Sequence, residues 1–239
     1  MLTRRQLIQA AAASVLGASV RAQTVDLERL LAIPGSDRLR AVLDTDTFNE
    51  IDDQYAVAYS LLSPERMSVE AIYAAPFVND RSRSAAEGME KSHEEILRLL
   101  SFFSDVDDSI ALRGSARFFE RRDRPVDSPA ARDLIDRALT PGDGPLYVLT
   151  IGGPVNVSSA ILMEPKIQER IVVVWLGGTQ QYWPSASEFN LRQDVVAAQV
   201  VFDSGASFVH IPCATVASHL LTTIAELAEY VQPQGDIGR

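Results

Sequence analysis

The run Ile171-Val172-Val173-Val174-Trp175-Leu176 is apolar without alternation, and it limits what this chain can fold into more than any other stretch. A strand with one wet face alternates polar and apolar residues. One that is apolar at every position is covered on both faces, as in a parallel sheet between two layers of helices. The surrounding sequence repeats this punctuation. Short β-branched runs at Leu39 to Asp44, Val69 to Ala75, Leu146 to Ile151 and Phe208 to Ile211 alternate with segments of helical period. Those segments are Asp52 to Leu62, Ser84 to Leu100, Pro129 to Leu139, Pro154 to Leu162 and Val195 to Asp203. The expectation is an α/β fold of Rossmann-like type, with a mostly parallel central sheet flanked by helices and ligands bound at the carboxyl ends of the strands. Ser104 to Asp127, charged and irregular, reads as an excursion over the surface.

Composition narrows the classes of function. With 239 residues, 46% hydrophobic and 23% charged, the chain suits one globular domain. Its net charge of -10 repels nucleic acid and anionic membrane surfaces and favours a neutral or cationic ligand. Cys213 is the single cysteine, read as a small buried core group. At the other end, Arg4-Arg5, a mildly apolar Ala-rich run and Val20-Arg21-Ala22 follow in the order of a twin-arginine export signal cleaved after Ala22. Residues 1–22 are therefore expected to be a signal peptide and residues 23–239 the α/β domain, exported to the periplasm or secreted by a bacterium. No stretch offers the ~20 apolar residues of a membrane-spanning helix, so no membrane association is expected once the signal is removed.

Chemistry concentrates in the turn after the first strand. Arg40-Ala41-Val42-Leu43 runs into Asp44-Thr45-Asp46-Thr47-Phe48-Asn49-Glu50-Ile51-Asp52-Asp53, and no Lys or Arg occurs between Arg40 and Arg66. Asp44 and Asp46 share a face by the two-residue period of a strand, and Asp52 and Asp53 open the next helix. Capping and the helix dipole account for the last two. They leave the cluster unexplained, because like charges within ~4–6 Å oppose one another's ionisation unless a cation lies among them. An all-oxygen site selects a hard cation, and a flexible acidic loop suits Ca²⁺ better than Mg²⁺.

Asp44-Thr45-Asp46 with Asp52-Asp53 resembles the N-terminal D-x-D-P-G-x-D-D motif of the inosine-uridine preferring nucleoside hydrolase family, with Thr47-Phe48 in place of Pro-Gly and two more residues in the spacing. Three further segments are similar to that family in the same order: Ala75-Pro76-Phe77-Val78-Asn79, Thr150-Ile151-Gly152-Gly153-Pro154-Val155-Asn156 and Ser187-Glu188-Phe189-Asn190.

The resemblance implies an N-ribosyl hydrolase that uses a Ca²⁺-activated water to cleave a ribonucleoside into free base and ribose. It implies Asp46 as general base and metal ligand, Asp53 as a ligand through both oxygens, and the backbone carbonyl of Ile151 as another. Asp52, Asn79, Glu188 and Asn190 would hold the sugar. The acidic pocket would stabilise the positive charge of an oxocarbenium-like transition state. A homo-oligomer acting on a small-molecule nucleoside is implied as well. The family's late acidic ligand has no counterpart before Arg239, so a C-terminally short member is expected, and its turnover is an open point.

Trp183, in the polar loop after the apolar run, is either a platform for the nucleobase or a loop anchor. His93 is read as solvated on a charged helix face, His210 as a satisfied core histidine and His219 as a helix-start residue. Two other functions compete. The first is a homologue that binds ribosides or calcium without turnover. The second follows from Asp44-Thr45-Asp46-Thr47, which also resembles the D-x-D-x-T motif of haloacid-dehalogenase-type phosphatases, with Asp44 as nucleophile, Asp46 as acid and Mg²⁺.

Overall fold

The computed structural model describes residues 38–239 except Asp143. The signal expected at residues 1–22 lies outside them. Six strands build one parallel sheet: β1 (Leu39–Thr45), β2 (Met67–Ala74), β3 (Ala111–Arg113), β4 (Leu146–Thr150), β5 (Ile171–Leu176) and β6 (Ser207–Ile211). Their spatial order is β3-β2-β1-β4-β5-β6. The chain builds outward from β1 to one edge, returns, and builds from β4 to the other, so the direction of construction reverses between β1 and β4. At such a reversal the loops on either side diverge and leave a crevice above the carboxyl ends of the two strands.

The main helices among the described residues are α1 (Ile51–Leu61), α2 (Ala85–Leu100), α3 (Pro129–Leu139), α4 (Val155–Met163), α5 (Phe189–Gln193) and α6 (Val195–Asp203), with short helical turns following β6. Three of them start where a short polar side chain accepts from the first turn: Ser84 from Glu87 N, Ser128 from Ala131 N with Pro129 following, and Asp194 from Ala197 N. Among the described residues no helix is long and apolar enough to cross a membrane.

The two faces of β1 feed two cores. Val42 packs with Leu134 of α3, Val157 and Ile161 of α4 and Val201 of α6, while Leu43 packs with Val57 of α1 and Met89, Ile96 and Leu99 of α2. Fully burying one such side chain contributes about 1.5–3 kcal/mol, so the double-sided burial read from the apolar strand is the main source of cohesion.

The segment expected to be a surface excursion is mostly exposed, but the sequence reading of it is incomplete. It carries the edge strand β3, and Ser115, Phe119 and Val126 within it are buried. Three residues are too short to show a strand period, and pairing with β2 from Ile72 to Ala74 overrides weak local preference. The same edge corrects His93, which is buried with Nε2 3.3 Å from the Ala111 carbonyl, because β3 covers the face of α2 that the charges suggested was wet. Cys213 is half-buried beyond the end of β6. His219 closes an exposed 3₁₀ turn, Ala217–His219. His210 matches its reading, with Nε2 2.7 Å from the Gly177 carbonyl and its ring stacked on Trp175.

Helix α2 is seated against the segment after β2 with no space for a side chain at Gly88, where a Cβ would lie 2.1 Å from the Phe77 carbonyl oxygen. On an open helix Gly88→Ala would gain about 1 kcal/mol. Here it is expected to cost about 2–3 kcal/mol through overpacking against backbone, read as a lower denaturant midpoint with unchanged slope.

Candidate active site

The end of β1 binds both helical layers through consecutive residues. Asp44 lies on the face of Val42, and its Oδ1 accepts from Asn156 Nδ2 of α4 at 2.8 Å. Thr45 lies on the face of Leu43, and its hydroxyl donates to Asp53 Oδ1 of α1 at 2.7 Å. The two-residue period of the strand thus sends one polar side chain into each layer. Asp46 follows, just beyond the strand, where the Asn49 N–H donates to its carbonyl at 2.7 Å and closes a turn.

Asp46 is 1% exposed, and neither of its carboxylate oxygens has a hydrogen-bond partner among the described residues. It lies across the crevice from Gly152, in the turn between β4 and α4, where a Cβ would come within 2.7 Å of Oδ1. Trp175 Nε1 donates to the Gly152 carbonyl at 3.0 Å and fixes that turn from below.

The electrostatics are those of carboxylates removed from water. Burial holds the Asp46 carboxyl well above the ordinary carboxylate range, and the neighbouring Asp53 raises it further. Burial lifts Asp53 to about 8 against the hydrogen bond from Thr45, and Asp44 to about 7 against the hydrogen bonds from Asn156 and the Val157 backbone. Glu50 is also raised by burial and by Asp52. An unpaired buried carboxylate is costly, and a cation is the partner that relieves several at once.

Of the other residues singled out from the sequence, Asp52, Asn79, Glu188 and Asn190 lie on the neighbouring strand-end segments, while Trp183 lines a separate cavity. Asp52 is exposed in the first turn of α1, which begins without a side-chain cap. Asn79 Nδ2 donates to Asn49 Oδ1 at 2.6 Å, and Asn79 Oδ1 accepts from the Arg81 backbone at 2.8 Å. Glu188 caps α5, taking the Asn190 and Leu191 N–H groups, and also accepts from Gly178 N at 2.6 Å. Asn190 is buried and its Nδ2 donates to the carbonyls of Ile151 at 2.9 Å and Leu176 at 3.0 Å. Trp183 is 43% exposed and lines a cavity of about 230 Å³ with Gln180, Leu191, Phe202 and His210.

Sequence reasoning gave no role to Asn49 and left Asn156 as part of a motif. Asn49 falls within the two extra residues of spacing, and that lengthening was its only signal. Among the described residues no group of three or more His, Cys, Asp or Glu side chains is gathered as a ready metal shell. Asp44 is turned towards Asn156, and Asp46 and Asp53 are left as the adjacent pair. Hard oxygen donors, one of them buried with both atoms unpaired, fit a hard cation that completes its shell with carbonyl, water or sugar oxygens.

Comparison with known proteins follows the same line. The family described as inosine-uridine preferring nucleoside hydrolase matches residues 41–238. The pyrimidine-specific ribonucleoside hydrolase RihA of Escherichia coli O1:K1 / APEC is 27% identical over 191 residues, 70% of this chain and 58% of that protein. RihA of Enterobacter sp. (strain 638) is 27% identical over 196 residues, 72% of this chain and again 58% of the relative. The chain thus spans 58% of the length of these curated relatives. Among solved structures, an inosine-guanosine nucleoside hydrolase superposes with a TM-score of 0.65 at 18% identity, covering 83% of this chain and 69% of the other. A purine-preferring ribonucleoside hydrolase from Gardnerella vaginalis gives 0.62 at 23% identity, covering 80% and 65%. Both share the fold. With a match that runs from β1 almost to the last residue and includes the acidic turn, the chain belongs to the inosine-uridine preferring nucleoside hydrolase family.

Proposed function

We propose that this protein hydrolyses the N-glycosidic bond of ribonucleosides, releasing free base and ribose, with Asp46 as general base. The observation that carries the reading is the buried Asp46 carboxylate with both oxygens unpaired, at the carboxyl end of β1 where the order of the strands reverses. Family membership and the relatives named as ribonucleoside hydrolases support it.

Asp46 and Asp53 would hold Ca²⁺, joined by the Ile151 carbonyl, which keeps a second lone pair after accepting from Asn190 Nδ2. When bound, the ion would anchor the sugar hydroxyls and lower the pKa of the attacking water. Asp46 would take one proton from the attacking water as the water oxygen bonds to C1′, and the bond from C1′ to the base nitrogen would break with its electron pair passing to the base, which takes up a proton from solvent. Asp52, exposed at the start of α1, accepts hydrogen bonds from the ribose hydroxyls. Asn79, Glu188 and Asn190 border the sugar site, and the protein contacts already described keep their side chains in place. The clustered acidic groups, Glu50 included, lower the energy of the positive charge that develops on the sugar ring. A phosphatase reading is not favoured. Its nucleophile, Asp44, is turned to Asn156 of α4, which takes up its Oδ1.

The decisive experiment measures reducing-sugar release from purine and pyrimidine ribonucleosides alongside calcium titration. Asp46→Asn is expected to lower turnover about 10²-fold or more without lowering the melting temperature. Retained turnover would reject the assigned role, and nucleoside binding without turnover in the wild type would leave a non-catalytic riboside binder. Stripping the protein with a chelator is expected to remove hydrolysis and added Ca²⁺ to restore it; activity that survives chelation would reject the metal. Gly152→Ala pushes a methyl group against Asp46 Oδ1 and is expected to lower turnover by tenfold or more, for a stability cost of about 1–3 kcal/mol. Activity and melting temperature of the same preparation distinguish these effects.

A further inference from the structure

Asn156 is the second residue of α4 and is fully buried. Its amide uses both ends. Nδ2 donates to Asp44 Oδ1 at 2.8 Å and lies 3.4 Å from the Ala74 carbonyl at the end of β2. Oδ1 accepts from the Ser115 backbone N–H at 2.7 Å, in the segment that follows β3. One side chain therefore connects the carboxyl ends of β1 and β2, the chain leaving β3 and the start of α4. These partners are 112, 82 and 41 residues away in sequence. The connection runs across the strand ends beside the last backbone bond between β1 and the chain leaving β4, from the Ile151 N–H to the Asp44 carbonyl at 2.9 Å. The acceptors fix which end of the amide is which: a carboxylate and a carbonyl face Nδ2, and a backbone N–H faces Oδ1.

From this geometry we infer that Asn156 is a positioning residue for Asp46: by holding Asp44 to α4 it fixes the last turn of β1, so that the Asp46 carboxylate emerges beside Gly152 with both oxygens free. Asp44 then serves as an anchor. On the opposite face the Thr45 hydroxyl holds Asp53 in the same way, and Asp46 lies between two restraints while making none itself. An outer residue that orients a ligand commonly carries about 10–100-fold of metal affinity. The inference rests on the reading of Asp46 and Asp53 as cation ligands.

The test is calorimetric titration of the full chain with Ca²⁺, with the melting temperature of every variant recorded. Asn156→Asp keeps an acceptor for Ser115 N–H and loses the donor to Asp44, and it is expected to lower calcium affinity about 10–100-fold. Combining it with Asp44→Asn restores a donor and acceptor between the two positions with reversed polarity and is expected to recover most of that loss. A purely structural role would change the melting temperature without this reciprocal recovery in affinity. Wild-type affinity in Asn156→Asp, or a double variant that binds no better than the single, would overturn the inference. If Asn156→Asp does not fold, Asp44→Asn decides. It keeps an acceptor for Asn156 Nδ2, so a loss below about tenfold supports an anchoring Asp44, and a larger loss in folded protein makes Asp44 a ligand and overturns the inference. A wild-type protein that binds no calcium defeats the ligand reading as well, which separates the two failures.

Discussion

The organisation of this protein depends on how the last two residues of β1 are held. Asp44 and Thr45 point to opposite faces of the sheet, one bound to Asn156 of α4 and the other to Asp53 of α1. Each bond is short, buried and between polar groups, so losing one partner leaves the other exposed to the full desolvation cost. Beyond them comes a carboxylate with no hydrogen bond among the described residues. Such a group costs stability, and the cost has to be met elsewhere in the fold. The two cores on either side of β1 are where it is met. Ile72, Ile96, Leu134, Ile161 and Trp175 are among their fully buried side chains, and the sheet ladders between them supply the rigidity that keeps Asp46 from turning away to find water.

Strand order then decides where this investment is made. A carboxylate at the end of an edge strand would be solvated, and at the end of a strand between two sequential neighbours it would meet loops crossing overhead. Only between β1 and β4 do the connections leave in opposite directions. The crevice is narrow because Gly152 lets the β4–α4 turn approach Asp46 directly, and Trp175 and Asn190 hold that turn by its own carbonyls. Fold and site are thus two consequences of one topology.

How much of this could be read from the sequence follows from the range of the interactions involved. The apolar run of β5 and the helical periods of α2 and α3 are local patterns, and they appear in the structure within a residue or two of the expected bounds. The acidic turn was legible because its carboxylates fall within ten residues and no Lys or Arg lies between Arg40 and Arg66 in the sequence. Strand β3 was not, since Ala111-Leu112-Arg113 has no pattern of its own and exists by pairing with β2. His93 was misread for the same reason: the charges of α2 describe the helix alone, and the edge strand that covers one face comes from another part of the chain. Asn156 is the extreme case, because its partners are dozens of residues away and only the folded topology brings them together.

The distribution of hydrogen bonds also sorts the motif residues by kind of work. Glu188 spends its oxygens on three backbone N–H groups, Asn190 spends both amide hydrogens on two carbonyls, and both ends of Asn79 are engaged by Asn49 and Arg81. Groups held in this way do not reorganise when a ligand arrives, and what they offer is the remaining lone pair or hydrogen at a fixed place. Asp46 is the opposite case. It is held only through its backbone and its neighbours, and both reactive atoms are unspent. A proton acceptor needs that condition, since each hydrogen bond to a carboxylate stabilises its charged form and makes it a weaker base. The lack of partners at Asp46 is therefore consistent with the surrounding network rather than a flaw in it: Glu188, Asn190 and Asn79 are held in place, Asp44 keeps one oxygen unpaired, and Asp46 keeps both.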